Sequence, residues 1–144
     1  MRKNYIKSGD IILIPVDEDR CAVAKIIYLS KYFKDVILLR TYPLVVSFSV
    51  GTIELPKNLV KELLIYTGNQ KIKMEEWKKI DNIPVTELEI KMSKRIVGGD
   101  VWIEDECMRT ATDQDCKNLE RMLVSGARLV ENKMKDYLLD EGLL

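Results

Sequence analysis

Apolar positions cluster into short runs in the first third of the chain and take helical spacing in the last. Asp10–Val16 (DIILIPV) is almost wholly apolar, the pattern of a strand covered on both faces. An acidic turn, Asp17-Glu18-Asp19, leads to Arg20–Leu29, rich in Val, Ile and Ala, which predicts a second strand. Lys31–Lys34 makes the next link, and Asp35–Tyr42 predicts a third strand that Pro43 is expected to end. Three consecutive strands with short links predict an antiparallel meander, the start of a small barrel or strongly bent sheet.

The middle is less regular. Val45–Val50 alternates weakly until Gly51, and residues 55–62 predict a helical turn with Pro56 at its first position. Glu62–Tyr66 reads as a strand stopped by Thr67-Gly68-Asn69, and Asp81–Pro84 marks a turn. Leu88, Ile90 and Met92 alternate with Glu89, Lys91 and Ser93, which predicts a half-buried strand running on to Val97. Gly98-Gly99 then offers a two-residue hairpin loop, since glycine accepts positive φ. That loop sets Val97 opposite Asp100, Ile96 opposite Val101 and Arg95 opposite Trp102. One face would send Ile90, Met92, Ile96, Val101 and Ile103 to the core. The other would show Arg95, Asp100, Trp102 and Glu104, with a cation–π contact between Arg95 and Trp102 worth about 0.5–1 kcal/mol if exposed.

At the C-terminal end, Thr112-Asp113-Gln114-Asp115 resembles a capping box. Leu119, Met122, Leu123, Ala127, Val130, Met134, Tyr137 and Leu138 follow at helical spacing, predicting an amphipathic helix packed on the sheet. Gly126 falls on its apolar stripe and either costs about 1 kcal/mol against alanine or marks a break with Ser125 capping a second helix.

Composition narrows the class. The 144 residues are 47% apolar, which suits one globular domain spanning residues 1–144. There is no histidine, so the commonest general base and metal ligand are missing. Basic and acidic side chains balance at 23 each, but unevenly: residues 1–72 carry eleven basic and seven acidic, the remainder twelve basic and sixteen acidic. Asp100, Glu104, Asp105, Glu106, Asp113 and Asp115 face only Arg109 in their stretch. Such a cluster is either a solvated acidic face or a surface that repels phosphates and attracts a basic protein. Cys21, Cys107 and Cys116 have no zinc spacing and are expected to be small buried hydrophobes in a reducing compartment. No leader-like h-region or membrane-length apolar run is present, so a cytoplasmic protein without a membrane role is expected.

Candidate chemistry is sparse. No carboxylate pair is fixed at a hydrolase separation, and a cysteine nucleophile would need a base other than histidine. Asp100, Glu104, Asp105 and Glu106 lack calcium-loop spacing, and Val97–Asp100 is no phosphate cradle. No catalytic residue, metal site or cofactor is therefore assigned. Trp77 is expected in the core. Trp102 either is covered by another element or stands exposed as a binding anchor, since tryptophan is enriched among hot spots.

Three segments resemble immunity protein 26, a family of bacterial polymorphic toxin systems. Ser8-Gly9-Asp10-Ile11-Ile12-Leu13-Ile14-Pro15-Val16 with Arg20–Lys25 looks like the family's opening strand pair. Trp77–Pro84 looks like its central tryptophan segment, and Arg95–Arg109 leading to Ala111 and the final helix like its closing motif. Where the family opening carries a glycine in the second strand, this chain has Ala22 or Ala24. The resemblance extends from Lys7 to about Tyr137 and implies a non-enzymatic antidote that binds a toxin from neighbouring cells.

The expected fold is α+β: a bent antiparallel sheet with barrel-like (SH3-like) N-terminal strands and a C-terminal amphipathic helix packed on it. The expected function is neutralisation of a cognate toxin by stoichiometric binding. Arg95, Asp100, Trp102, Glu104, Asp105 and Glu106 are the expected toxin-binding residues, opposite a basic surface such as a nuclease must present to phosphates. The alternative is a small-barrel nucleic-acid-binding module, for which Tyr28, Tyr32, Phe33 and Tyr42 are the available stacking residues.

Overall fold

A computed structural model describes residues 6–51, 53–56 and 62–144. The N-terminal meander forms as expected: β1 (Asp10–Pro15), β2 (Arg20–Leu29) and β3 (Val36–Ser47) pair antiparallel in sequence order. Their near-continuous apolar runs reflect cover on both faces. Ile12, Ile14, Ala22, Ala24 and Ile26 point to one side, and Ile11, Leu13, Cys21 and Val23 to the other. β4 (Leu63–Gly68) and β5 (Lys78–Asn82) flank the meander. The two-residue β9 (Val124–Ser125) joins β4 in parallel, giving an open, mixed sheet in the order β5-β1-β2-β3-β4-β9.

Pro43 does not end the third strand. The register jumps from Val23↔Tyr42 to Ala22↔Val45, so Pro43 lies in a β-bulge, where a residue without an N–H removes no ladder bond. A second irregularity between Ile26 and Tyr28 disrupts the same pair of strands. Part of the helical turn expected over residues 55–62 lies outside the described residues. The chain after β4 makes a single helical turn, α1 (Gln70–Lys73), before Trp77 enters the core at 1% exposure.

Residues 88–92 overturn the expected alternating strand. They belong to α2 (Glu87–Lys91), opened by a full capping box: the Thr86 hydroxyl accepts from Glu89 N–H, and the Glu89 carboxylate accepts from Thr86 N–H. The expected burial is also inverted, with Leu88 67% exposed and Glu89 only 1%. Glu89 is held there by Lys25 and Arg40, each 2.7 Å from one of its oxygens. Two cationic partners from the large sheet outweigh the apolar alternation.

The hairpin after α2 follows its expected register. β6 (Arg95–Val97) and β7 (Asp100–Ile103) pair Arg95↔Trp102, Ile96↔Val101 and Val97↔Asp100, with Gly98 at φ +61° in the turn. Ile96 and Val101 are buried, whereas Ile90, Met92 and Ile103 are only half-buried. β8 (Glu106–Thr110) completes an antiparallel three-stranded sheet.

The long final helix is two helices. Thr112 does build its capping box with Asp115, but α3 (Asp113–Asn118) stops there. Residues 119–126 are extended, and Ile96 clasps them through Ile96 N–H to Glu120 C=O and Met122 N–H to Ile96 C=O, both 2.9 Å. Inter-strand bonds thus displace the helix that spacing alone predicts. The break falls where Gly126 suggested, but Gly126 itself is the N-cap, and the Ser125 carbonyl accepts from the Thr67 hydroxyl. α4 (Ala127–Asp140) lays Val130, Met134, Tyr137 and Leu138 on the large sheet, one stripe at helical spacing. The Trp77 indole N–H donates to Glu131 of that helix at 3.1 Å.

Candidate functional site: an aromatic face on the small sheet

The predicted site residues do come together on the small sheet, but two of them point inward. Arg95 lies opposite Trp102 in the ladder yet makes no cation–π contact with it. Its guanidinium is buried at 2% exposure over the rings of Tyr28, Tyr66 and Phe33, at 5.2, 5.3 and 5.9 Å from their centroids. Nη1 donates to the carbonyls of Ser93 at 3.1 Å and Glu104 at 2.6 Å. Three shielded rings and two carbonyls hold a cation better than one ring at a solvent edge.

Asp105 is likewise no docking carboxylate. It accepts from Ser30 Oγ at 2.6 Å, from the Lys31 N–H at 2.8 Å and from the Tyr28 hydroxyl. Burial pushes its carboxyl up, but the bonds from Ser30, Tyr28 and the backbone N–H groups of Lys31 and Tyr32 outweigh this and hold it below the usual carboxylate value. Asp105 thereby fixes the 30–34 loop to the β7–β8 turn. Glu104, in that turn at φ +51°, shifts the other way: burial and then the charges of Asp105 and Glu106 raise its carboxyl. Asp100 and Glu104 are half-buried and Glu106 exposed, and none of the three forms an ion pair within 4 Å among the described residues.

What Asp105 positions is an aromatic cluster. The half-buried Trp102 ring lies 5.2 Å from Tyr32 and 5.7 Å from Phe33, and those two rings meet edge to face at 4.8 Å. Tyr32 is 67% exposed. Phe33 touches both Trp102 and the Arg95 cation, so the exposed cluster rests on a buried charge. The sequence held no local sign that Tyr32 and Phe33 join Trp102, because those two lie on the β2–β3 connection and Trp102 on β7, far apart in the chain. Of the other stacking candidates, Tyr28 and Tyr42 are buried at 2% and 3% and present no ring to a nucleobase.

A second charged cluster lies beneath α2. Glu89 joins Lys25 to Arg40, and Arg40 continues to Glu62. Burial pushes the Glu89 carboxyl up, but Lys25, the Thr86 N–H and Arg40 together hold it below its ordinary value. This network fastens α2 to the large sheet. Among the cysteines, Cys21 is buried and its thiol pushed up to about 11 by that burial, whereas Cys107 and Cys116 are exposed, contrary to expectation. Cys107 lies on β8 and Cys116 on α3, two elements that bury none of their residues.

Among the described residues no grouping of three or more metal-ligating side chains occurs, and no helix is long and apolar enough to cross a membrane. No family model, curated protein or solved structure matches this chain.

Proposed function

We propose that this protein is an immunity protein that neutralises a cognate bacterial toxin by stoichiometric binding through the face centred on Trp102. The observation that carries the reading is the Tyr32–Phe33–Trp102 cluster, clamped from below by Arg95 and Asp105 and set beside Asp100, Glu104 and Glu106, which have no ion-pair partners among the described residues. A preorganised aromatic centre with a polar rim is the make-up of a binding hot spot. Carboxylates at the rim would speed approach to a basic surface, such as that of a nuclease toxin, while the rings slow release.

The resemblance to the immunity protein 26 family supports the same reading, and the bulged β1–β3 meander is taken as its SH3-like portion. A cytoplasmic location and a non-enzymatic role belong to this proposal. The test is co-purification with a catalytically dead form of the toxin encoded beside this protein's gene. A stable one-to-one complex is expected. A folded protein that captures nothing would sink the reading, and a salt-dependent oligonucleotide shift would then favour the nucleic-acid module.

A further inference from the structure

We propose that the cleft between β4 and residues 118–125 is a binding site for a small organic carboxylate with an apolar body. The cleft exists because the chain divides its bonding between two sheets. Val124 and Ser125 pair with Tyr66 and Thr67, but Glu120 and Met122 bond to Ile96 of the small sheet instead. The chain therefore parts from β4 alongside Leu64 and Ile65, leaving a cavity of about 290 Å³. That is just under the about 300–1,000 Å³ of ordinary small-molecule sites, so its occupant is small.

Charge defines the occupant's polar end. Lys94, Arg95, Arg121 and Lys133 line the cleft, against the single carboxylate Glu120. Lys94, Arg121 and Lys133 are exposed and make no ion pair among the described residues. Arg95 is the independent sign. It is 2% exposed, and among the described residues no carboxylate lies within 4 Å of it and its Nε–H has no hydrogen-bond acceptor. A buried guanidinium normally finds a carboxylate, whereas Arg95 has only rings and carbonyl acceptors and keeps one donor unused. An anion in this cleft brings a counter-charge next to Arg95 that the rings and carbonyls do not supply.

The walls decide which anion. Leu64, Ile65, Tyr66, Leu119 and Leu123 supply apolar surface beside the cations. A phosphate has no apolar body to cover those walls, whereas a planar monocarboxylate matches a guanidinium fork and leaves its hydrocarbon for the leucines. Arg95 also lies 5.9 Å from the centroid of the Phe33 ring, so this one residue touches both the cleft and the Trp102 cluster.

The experiment is a ¹⁵N NMR titration of the full chain with phenylacetate, acetate and inorganic phosphate at matched ionic strength, following the Arg95 Nε–H and the Leu119 amide. Phenylacetate is expected to shift both saturably, with acetate and phosphate at least about tenfold weaker. The exposed pair Arg121→Gln and Lys133→Gln should weaken phenylacetate about tenfold while leaving thermal unfolding unchanged, and Glu120→Gln should tighten it. Absence of saturation by about 10 mM phenylacetate, equal responses to all three anions, or unchanged binding in the double variant would each overturn the proposal.

Discussion

Arg95 and Tyr28 join the two sheets: the guanidinium of the small sheet lies 5.2 Å from the centroid of a ring on β2 of the large one. The same Tyr28 donates its hydroxyl to Asp105, on the turn after β7. One tyrosine thus receives a cation on its face and offers a proton to an anion at its tip. The two contacts set the small sheet against the large one and position the loop that bears Tyr32 and Phe33.

Replacing this cation should loosen that junction. Arg95→Met loses three cation–π contacts, worth about 2 kcal/mol when desolvated, and charged hydrogen bonds worth about 1.5–3 kcal/mol each. Relief of charge burial offsets part of this. The expected net loss in urea unfolding is about 1–3 kcal/mol, and a change within about 0.5 kcal/mol would mean that the junction contributes nothing net.

Asp105 should show itself in the acid limb of stability. Its folded carboxyl is held below the unfolded value, so its contribution is present above about pH 4 and lost as pH falls through the lowered folded value. Asp105→Asn should cost about 1–3 kcal/mol at pH 7, and the gap from the unsubstituted protein should close in acid. A gap equally wide at pH 3 and pH 7 would contradict the assignment. Glu104 has the opposite sign: its raised carboxyl favours the protonated fold, a contribution present below the unfolded value and lost as pH rises through the folded one. Glu104→Gln should therefore raise the melting temperature at pH 7.

Glu89 is the keystone under α2. Glu89→Ala leaves Lys25 buried at 3% exposure without its anion and deprives Arg40 of one of two, an expected loss of about 3–5 kcal/mol. Lys25→Met with Glu89→Leu should cost less than the sum of the single changes, measured as a double-mutant cycle. Thr86→Ala removes only the cap and should cost about 1 kcal/mol.

On the proposed toxin complex, Trp102→Ala should weaken binding by at least about 2 kcal/mol, roughly thirtyfold, mainly through faster dissociation. Glu104→Lys with Glu106→Lys should instead slow association and lessen its salt dependence. Surface plasmon resonance separates the two rates. If both variants bind as tightly as the unsubstituted protein while folded, a different surface makes the contact.

The sequence by itself determined whatever rests on neighbours along the chain. Apolar runs marked β1 to β3, Gly98-Gly99 set the Arg95↔Trp102 register, and the Val130–Leu138 spacing marked the stripe that α4 buries. The alternation around Leu88 misled, although Thr86 and Glu89 spell the capping box that opens α2 in its place. Tertiary structure alone decided where the charges go. Glu89 turns inward because Lys25 waits 64 positions away, and Asp105 because Tyr28 and Ser30 do so at 77 and 75. Residues 119–126 are extended because Ile96 and β4 offer them backbone partners. Periodicity reports which side of an element is apolar, but a charged side chain moves to its partner, and that partner's position is known only once the sheets have met.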